Sequence, residues 1–322
     1  MPAQSDAELL RLLLIGMREA FQRGDNAMEW ARRTLNEGGA DTRNRTLATL
    51  VAYDLQSGSY VANARQYPED WSRWAEQLVG LITPVLPAGG SVLEVGVGEA
   101  TTLSAVMQSL GNRIGLAMGF DLSWSRLHSA CRWCQEERVT PELFVGDLFH
   151  IPLQDQSIDV VYSSHSLEPN GGREREAIAE CLRVARSAVV LVEPIYELAG
   201  LEARARMESH GYARGLREAA ESLGAFVRDY RLLSFTHSPL NPSGVLVLSP
   251  SGKSKYKARN SPIASAQGPG HDGRWQCPLT GVALERRPGE FFAVDVGLAY
   301  PILDGIPLLR AEHAVVASLL QR

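Results

Sequence analysis

Seven short apolar runs alternate with longer amphipathic ones between residues 66 and 250, and this rhythm restricts the fold more than anything else in the chain. The strand candidates are "SVLEVG", "GLAMGFD", "LFVGD", "IDVVYSS", "AVVLVEP", "RDYRLLSF" and "GVLVLSP". Helical stretches such as "REREAIAECLRVA" and "ARGLREAAESLGA" separate most of them. Continuous apolar strands with helical crossovers predict an α/β domain, with a mainly parallel sheet covered on both faces. The last two runs are joined only by "THSPLNPS". That link is too short for a helical crossover, so it predicts an antiparallel hairpin at the sheet edge.

Around this domain, residues 1–65 read as a helical segment, with apolar spacing at Leu9, Leu13, Met17 and at Leu10, Leu14. Ser5 and Glu8 form a capping-box pattern at its start. Its apolar run "LLRLLLIGM" is interrupted by Arg11, is far shorter than a membrane span and follows acidic residues. The expectation is a soluble, cytoplasmic protein. Four cysteines, Cys131, Cys134, Cys181 and Cys277, are too few for a disulfide framework in 322 residues and suit a reducing compartment. Residues 251–274, rich in Ser, Gly and Pro and holding all three lysines (Lys253, Lys255, Lys257), read as a flexible linker. Residues 275–322 form a small tail, expected to be an α+β module.

"SVLEV" turns into Gly96 and Gly98 with "ATTLSAVMQSL" behind them, which places a ligand at a helix N-terminus. A dinucleotide fingerprint would need a third glycine where Thr101 stands, and no Gly-Lys-Ser/Thr follows for a P-loop. Glu94, just before the turn, repels a pyrophosphate and suits an ammonium group. Asp121 ends the second strand, 23 residues past Gly98, where a carboxylate accepts ribose hydroxyls. Asp147 ends the third, placed to accept from an exocyclic adenine amine. These groups together describe a nucleoside with an amino-acid tail and no phosphates.

On "LEVGVGEAT", Asp121 and "GDLFHIPLQDQSIDVV", the stretch from about 90 to 195 resembles the class I S-adenosylmethionine-dependent methyltransferases. The resemblance implies a Rossmann-like seven-stranded sheet with a terminal hairpin, and S-adenosyl-L-methionine as cofactor. It also implies cofactor contacts from Glu94, Gly96, Gly98, Asp121, Leu122, Asp147, Leu148 and Ser164, with Tyr60 as a lid residue ahead of the glycine turn. The fourth strand end, "DVVYSSHSLEPNGGRERE", then faces the transferable methyl group. Removing a proton from an acceptor needs a base there, and His165 and Glu168 are the candidates. The alternative is that His165 bonds a loop and Glu168 caps the helix starting near Arg173. Asn170, Arg173 and Arg175, and beyond the fifth strand Tyr196 and Glu197, are candidate acceptor contacts.

The tail "CPLTGVALERRPGEFFAVDVGLAYPILDGIPLL" resembles a zinc-ribbon-like family that includes the activator subunit of certain tRNA and protein methyltransferases. Cys277 holds the first metal-ligand position, but the others fall on Thr280, Ala293 and Val296, and one sulfur cannot make a tetrahedral zinc site. The expectation is no metal, with Ala293 and Val296 packing in its place. Cys131 and Cys134, on a helical stretch without a partner pair, read as core thiols.

The leading functional expectation is methyl transfer to a small metabolite or saccharide. An RNA methyltransferase and a non-catalytic cofactor-binding subunit are the alternatives. Residues 66–250 hold 15 Arg, no Lys and 23 Asp/Glu, a net charge of −8, which is a poor surface for phosphate contacts.

Overall fold

The computed structural model describes residues 6–36, 42–250 and 273–321. Ser5 of the capping box and the three lysines of the linker stretch lie outside the described residues.

The chain begins with helices α1 (Asp6–Gln22), α2 (Ala27–Asn36) and α3 (Thr42–Leu55). Leu9, Leu13 and Met17 recur once per turn on α1 and bury against Ala31, Val51 and Ala52, a core separate from the main sheet. Leu14 is 46 % exposed, so the second apolar row of α1 faces out. A turn through Gly58, at φ +95°, leads into α4 (Ser59–Gln66) and then α5 (Pro68–Ile82). Pro68 stands at the first turn of α5, where its missing N–H costs no helix bond, with Glu69 and Asp70 beside the helix N-terminus.

The main domain follows as β1 (Gly90–Val95), α6 (Thr101–Leu110), β2 (Ile114–Asp121), α7 (Trp124–Glu136), β3 (Glu142–Val145), β4 (Ile158–Ser164), α8 (Glu174–Val184) and β5 (Ala185–Pro194). Helices α9 (Leu201–His210) and α10 (Leu216–Ser222) then lead to β6 (Phe226–Leu232) and β7 (Ser243–Ser249). The seven strands lie in the order β3-β2-β1-β4-β5-β7-β6. Only β7 runs against its neighbours, pairing antiparallel with both β5 and β6. The hairpin expected from "THSPLNPS" is present, with its second strand inserted inside the sheet and β6 left at the edge. Alternate residues of the central strands serve opposite faces. Leu93, Val161 and Leu191 pack with α8 and α10, while Val92, Val160 and Val190 pack with α5, α6 and α7. This is a Rossmann-like seven-stranded sheet with one antiparallel strand inserted next to its edge.

The C-terminal strands are β8 (Glu285–Arg287), β9 (Glu290–Ala293), β10 (Leu298–Leu303), β11 (Ile306–Pro307) and β12 (Val315–Val316), all antiparallel. The helical content of this unit is confined to short 3-10 turns among the described residues. It docks on the open edge of β3: Leu308 pairs with Val145 in parallel, and the Leu309 N–H donates to the Val145 carbonyl at 2.9 Å. Trp275 fills the joint edge-on to Phe144 and Phe291. Cys277, buried, lies 3.1 Å from the Tyr300 hydroxyl and accepts the Thr280 N–H. Of the two expected metal replacements, Ala293 is buried but Val296 is 41 % exposed. The Tyr300 hydroxyl meets the sulfur instead, because the Val296 turn points its side chain outward. Cys134 is buried and Cys131 half-buried on α7. No helix among the described residues is long and apolar enough to cross a membrane.

Candidate active site

The carboxyl ends of β1, β2 and β4 open into a cavity of about 710 Å³, roofed by α3, α4 and α5. Ligands of open α/β sheets bind at this end, where crossovers depart in opposite directions. Each candidate cofactor residue borders it: Glu94, Gly96, Gly98, Asp121, Leu122, Asp147, Leu148, Ser164 and Tyr60. So do His165, Glu168, Asn170 and Arg173.

On one side the β1–α6 turn is shaped by close approach. Gly96 (φ +65°) faces the Ser166 side chain, and Gly98 (φ +54°) lies under the Tyr60 ring; a Cβ at Gly96 would collide with Ser166. The Gly98 N–H donates to Asp121 Oδ2 at 3.0 Å, and the Ser123 N–H donates to Oδ1 at 2.9 Å. Burial raises the Asp121 pKa, opposed by these N–H groups and by the Arg126 charge. Arg126 lies between two rings, 4.6 Å from the Tyr53 centroid and 4.4 Å from that of Tyr60. Glu99 is fully buried and accepts the N–H groups of Gly58 and Val61, both at 2.8 Å. It therefore caps α4 from inside the glycine turn and holds Tyr60 in place. Glu94 accepts the Tyr162 hydroxyl at 2.8 Å, and burial pushes its pKa up to about 8 despite that bond. Asp147 accepts the Phe149 N–H at 2.9 Å.

On the other side, His165 adopts a left-handed backbone (φ +57°) immediately after β4. Its Nδ1 is 3.1 Å from Glu168 Oε2, and its Nε2 is 2.7 Å from Ser243 Oγ. Asn241 Nδ2 also donates to Glu168 Oε2 at 3.2 Å. Burial opposes protonation of His165, but the hydrogen bond and charge of Glu168 outweigh it and raise the pKa. This line of Ser, His and Glu has the spacing of a nucleophilic triad. Ser243, however, is 1 % exposed and shares its hydroxyl with Thr236, so no substrate reaches it. Beneath the loop, Glu193 accepts the N–H groups of Ser166, Leu167 and Glu168, each at 3.1 Å. Burial lifts its pKa to about 7.

Several sequence expectations change here. Both ring nitrogens of His165 are partnered, which is unsuited to receiving a substrate proton. Glu168 does not cap α8, whose N-cap Arg173 has no side-chain cap; its carboxylate turns to His165 and Asn241 instead. Tyr196 and Glu197 lie away from the cavity, bonded to Glu208 and to the Gly215 N–H. Arg175 is exposed and off the cavity wall. Trp71, Trp74 and His237, missed in the sequence, do line it. The spacing of Trp71 and Trp74 on one helical face was their signal; His237 had none, since its place depends on a hairpin closing over α5.

Residues 92–188 match the family model described as a methyltransferase domain. Magnesium protoporphyrin IX methyltransferase from Synechocystis PCC 6803, solved with bound SAH, superposes with a TM-score of 0.50 at 14 % identity, covering 64 % of this chain and all of that one. Geranyl diphosphate C-methyltransferase from Streptomyces coelicolor gives 0.43 at 10 % identity, covering 54 % of this chain and 77 % of that one. A 40-residue stretch is 42 % identical to a UPF0434 protein of Bartonella henselae; it is 12 % of this chain and spans 62 % of that protein. The sheet order is that of a class I, Rossmann-like fold, and residues 92–188 within it match the methyltransferase-domain model.

Proposed function

We propose that the protein is an S-adenosylmethionine-dependent methyltransferase acting on a small metabolite or saccharide. The observation that carries this reading is a cavity of about 710 Å³ that joins the glycine turn and strand-end acids to a polar, aromatic wall. That size is within the range of small-molecule sites, roughly 300–1,000 Å³, and lets a cofactor and a compact acceptor meet. The residues fit the cofactor chemically. Glu94 suits its ammonium group, Asp121 its ribose and Asp147 its adenine amine, with Leu122 and Leu148 as apolar walls. The Ser166 hydroxyl, buried against Gly96 without a hydrogen-bond partner among the described residues, is free for its amino-acid end.

The bound cofactor supplies an electrophilic methyl group. This chain's residues hold the acceptor in line with it, exclude water beneath Tyr60 and α4, and accept the acceptor's proton. Orientation of this kind supplies much of the rate in a displacement reaction. His165, with Glu168 and Asn241, braces the fourth strand end against the β6–β7 connection.

Calorimetric titration with S-adenosylhomocysteine should give saturable binding, and its absence would refute the proposal. With methyl-labelled cofactor and an extract of the source cells, label should enter the low-molecular-weight fraction. Label in RNA, together with RNA affinity falling about 0.7–0.9 log units per decade of salt for each phosphate contacted, would favour an RNA substrate instead.

A further inference from the structure

We propose that His237, on the β6–β7 connection, takes the proton from a protic methyl acceptor bound in the cavity. The inference rests on the methyl-transfer reading above and assigns a residue to its proton step. His237 borders the cavity, and its ring stands 5.5 Å from the Trp71 centroid and 5.0 Å from that of Trp74. Trp74 in turn donates from Nε1 to Ser164 Oγ at 3.0 Å, tying this aromatic cluster to the end of β4.

The segment that carries His237 is clamped on both sides. Gln77 of α5 accepts the Phe235 N–H at 3.0 Å and donates to the Phe235 carbonyl at 3.1 Å. Thr236 donates to the Asn241 carbonyl at 2.9 Å. A ring held this way is pre-positioned by packing and bonded neighbours. Among the described residues, neither His237 nitrogen has a hydrogen-bond partner, in contrast to His165.

The surroundings also favour a neutral, basic ring. Burial and then the neighbouring His165 at the β4 end lower the His237 pKa, while Asp70 of α5 opposes them. Arg73 of α5 lies over Phe235, the ring next to His237. Glu168 raises the His165 pKa, so of the two rings His165 is the more readily protonated. The two histidines therefore divide their tasks: His165, bonded at both nitrogens, braces the loop, and His237 is the open base. For a hydroxyl acceptor, its oxygen bonds the methyl carbon as the sulfur–methyl bond breaks with its electron pair kept on sulfur, and the hydroxyl proton passes to His237. The imidazolium returns that proton to solvent through the exposed side of the ring.

Two measurements test this. Diethyl pyrocarbonate, followed by peptide mass spectrometry, should modify His237 faster than His165; equal protection of both would overturn the open imidazole. In the second, methyl-labelled S-adenosylmethionine is supplied with the low-molecular-weight fraction of the source-cell extract. His237→Gln should lower turnover about 100-fold and abolish the acidic limb of the pH–rate profile, with S-adenosylhomocysteine affinity within about twofold of wild type. An unchanged rate and pH limb in His237→Gln would overturn the assignment while methyl transfer stands. Wild-type protein that transfers no label would overturn the methyl-transfer reading, and the role of His237 with it.

Discussion

The carboxylate of Asp121 accepts the backbone N–H of Gly98 across 3.0 Å, locking the end of β2 to the glycine turn that follows β1. Its other oxygen holds the Ser123 N–H, so one side chain sets two loops of the cofactor half. Asp121→Ala leaves both amides without this partner. We expect S-adenosylhomocysteine binding to weaken by about 1–3 kcal/mol in calorimetry, with Asp121→Asn intermediate. Unchanged affinity in the alanine variant would remove Asp121 from the site.

On the proposed reading, Glu94 should make cofactor binding pH-dependent. Its pKa in the free protein is raised to about 8 by burial, and the ammonium of a bound cofactor should pull it down. Affinity is then full above the free-state pKa and falls as pH drops through it, by about tenfold per pH unit until the bound-state value is reached. Titrations at neutral pH in buffers of different ionisation enthalpy should show proton release, and Glu94→Gln should show none. In the ligand-free protein the same raised pKa stabilises the fold below the unfolded-state value, and that contribution is lost as pH rises through about 8.

Glu99 is the latch of the lid. Its two oxygens accept the N–H groups of Gly58, just before α4, and of Val61 in its first turn, so Glu99→Ala uncaps the helix that carries Tyr60. Loss of such a cap costs roughly 0.5–2 kcal/mol. Amide exchange at Gly58 and Val61 should quicken, and bound S-adenosylhomocysteine should dissociate faster. An unchanged off-rate would show that α4 does not govern cofactor release.

Trp275 ties the C-terminal unit to β3. Truncating it to alanine opens a hole between Phe144 and Phe291, and substitutions of this kind cost about 3–5 kcal/mol. Urea unfolding should register that loss. Cofactor affinity should fall too, because β3 carries the loop with Asp147.

The unit should fold without zinc, since Cys277 is met by Tyr300 and Thr280 rather than by further ligands. Elemental analysis of protein purified without chelator should find far less than one zinc per chain. One tightly held zinc per chain would overturn this reading.

The strand, glycine turn and acidic strand ends were legible because each is a local pattern. Buried strands read as short apolar runs, a left-handed turn calls for glycine, and a carboxylate at a strand end needs only its position in the run. Much of the cavity wall was legible for the same reason, as Glu94, Asp121 and Asp147 each sit at or within two residues of a strand end. Tertiary structure alone decided the rest. Arg126 lies between Tyr53 and Tyr60, which come from α3 and α4, and no sequence period links those positions. His165 meets Ser243 some eighty residues away, 78 by count, and so loses the open nitrogen that its place after β4 suggested. His237 reaches the cavity only because β7 inserts between β5 and β6 and folds its connection back over α5. Backbone periodicity acts over a few residues, whereas a side chain's hydrogen-bond partners and protonation are set by whatever distant segments pack against it.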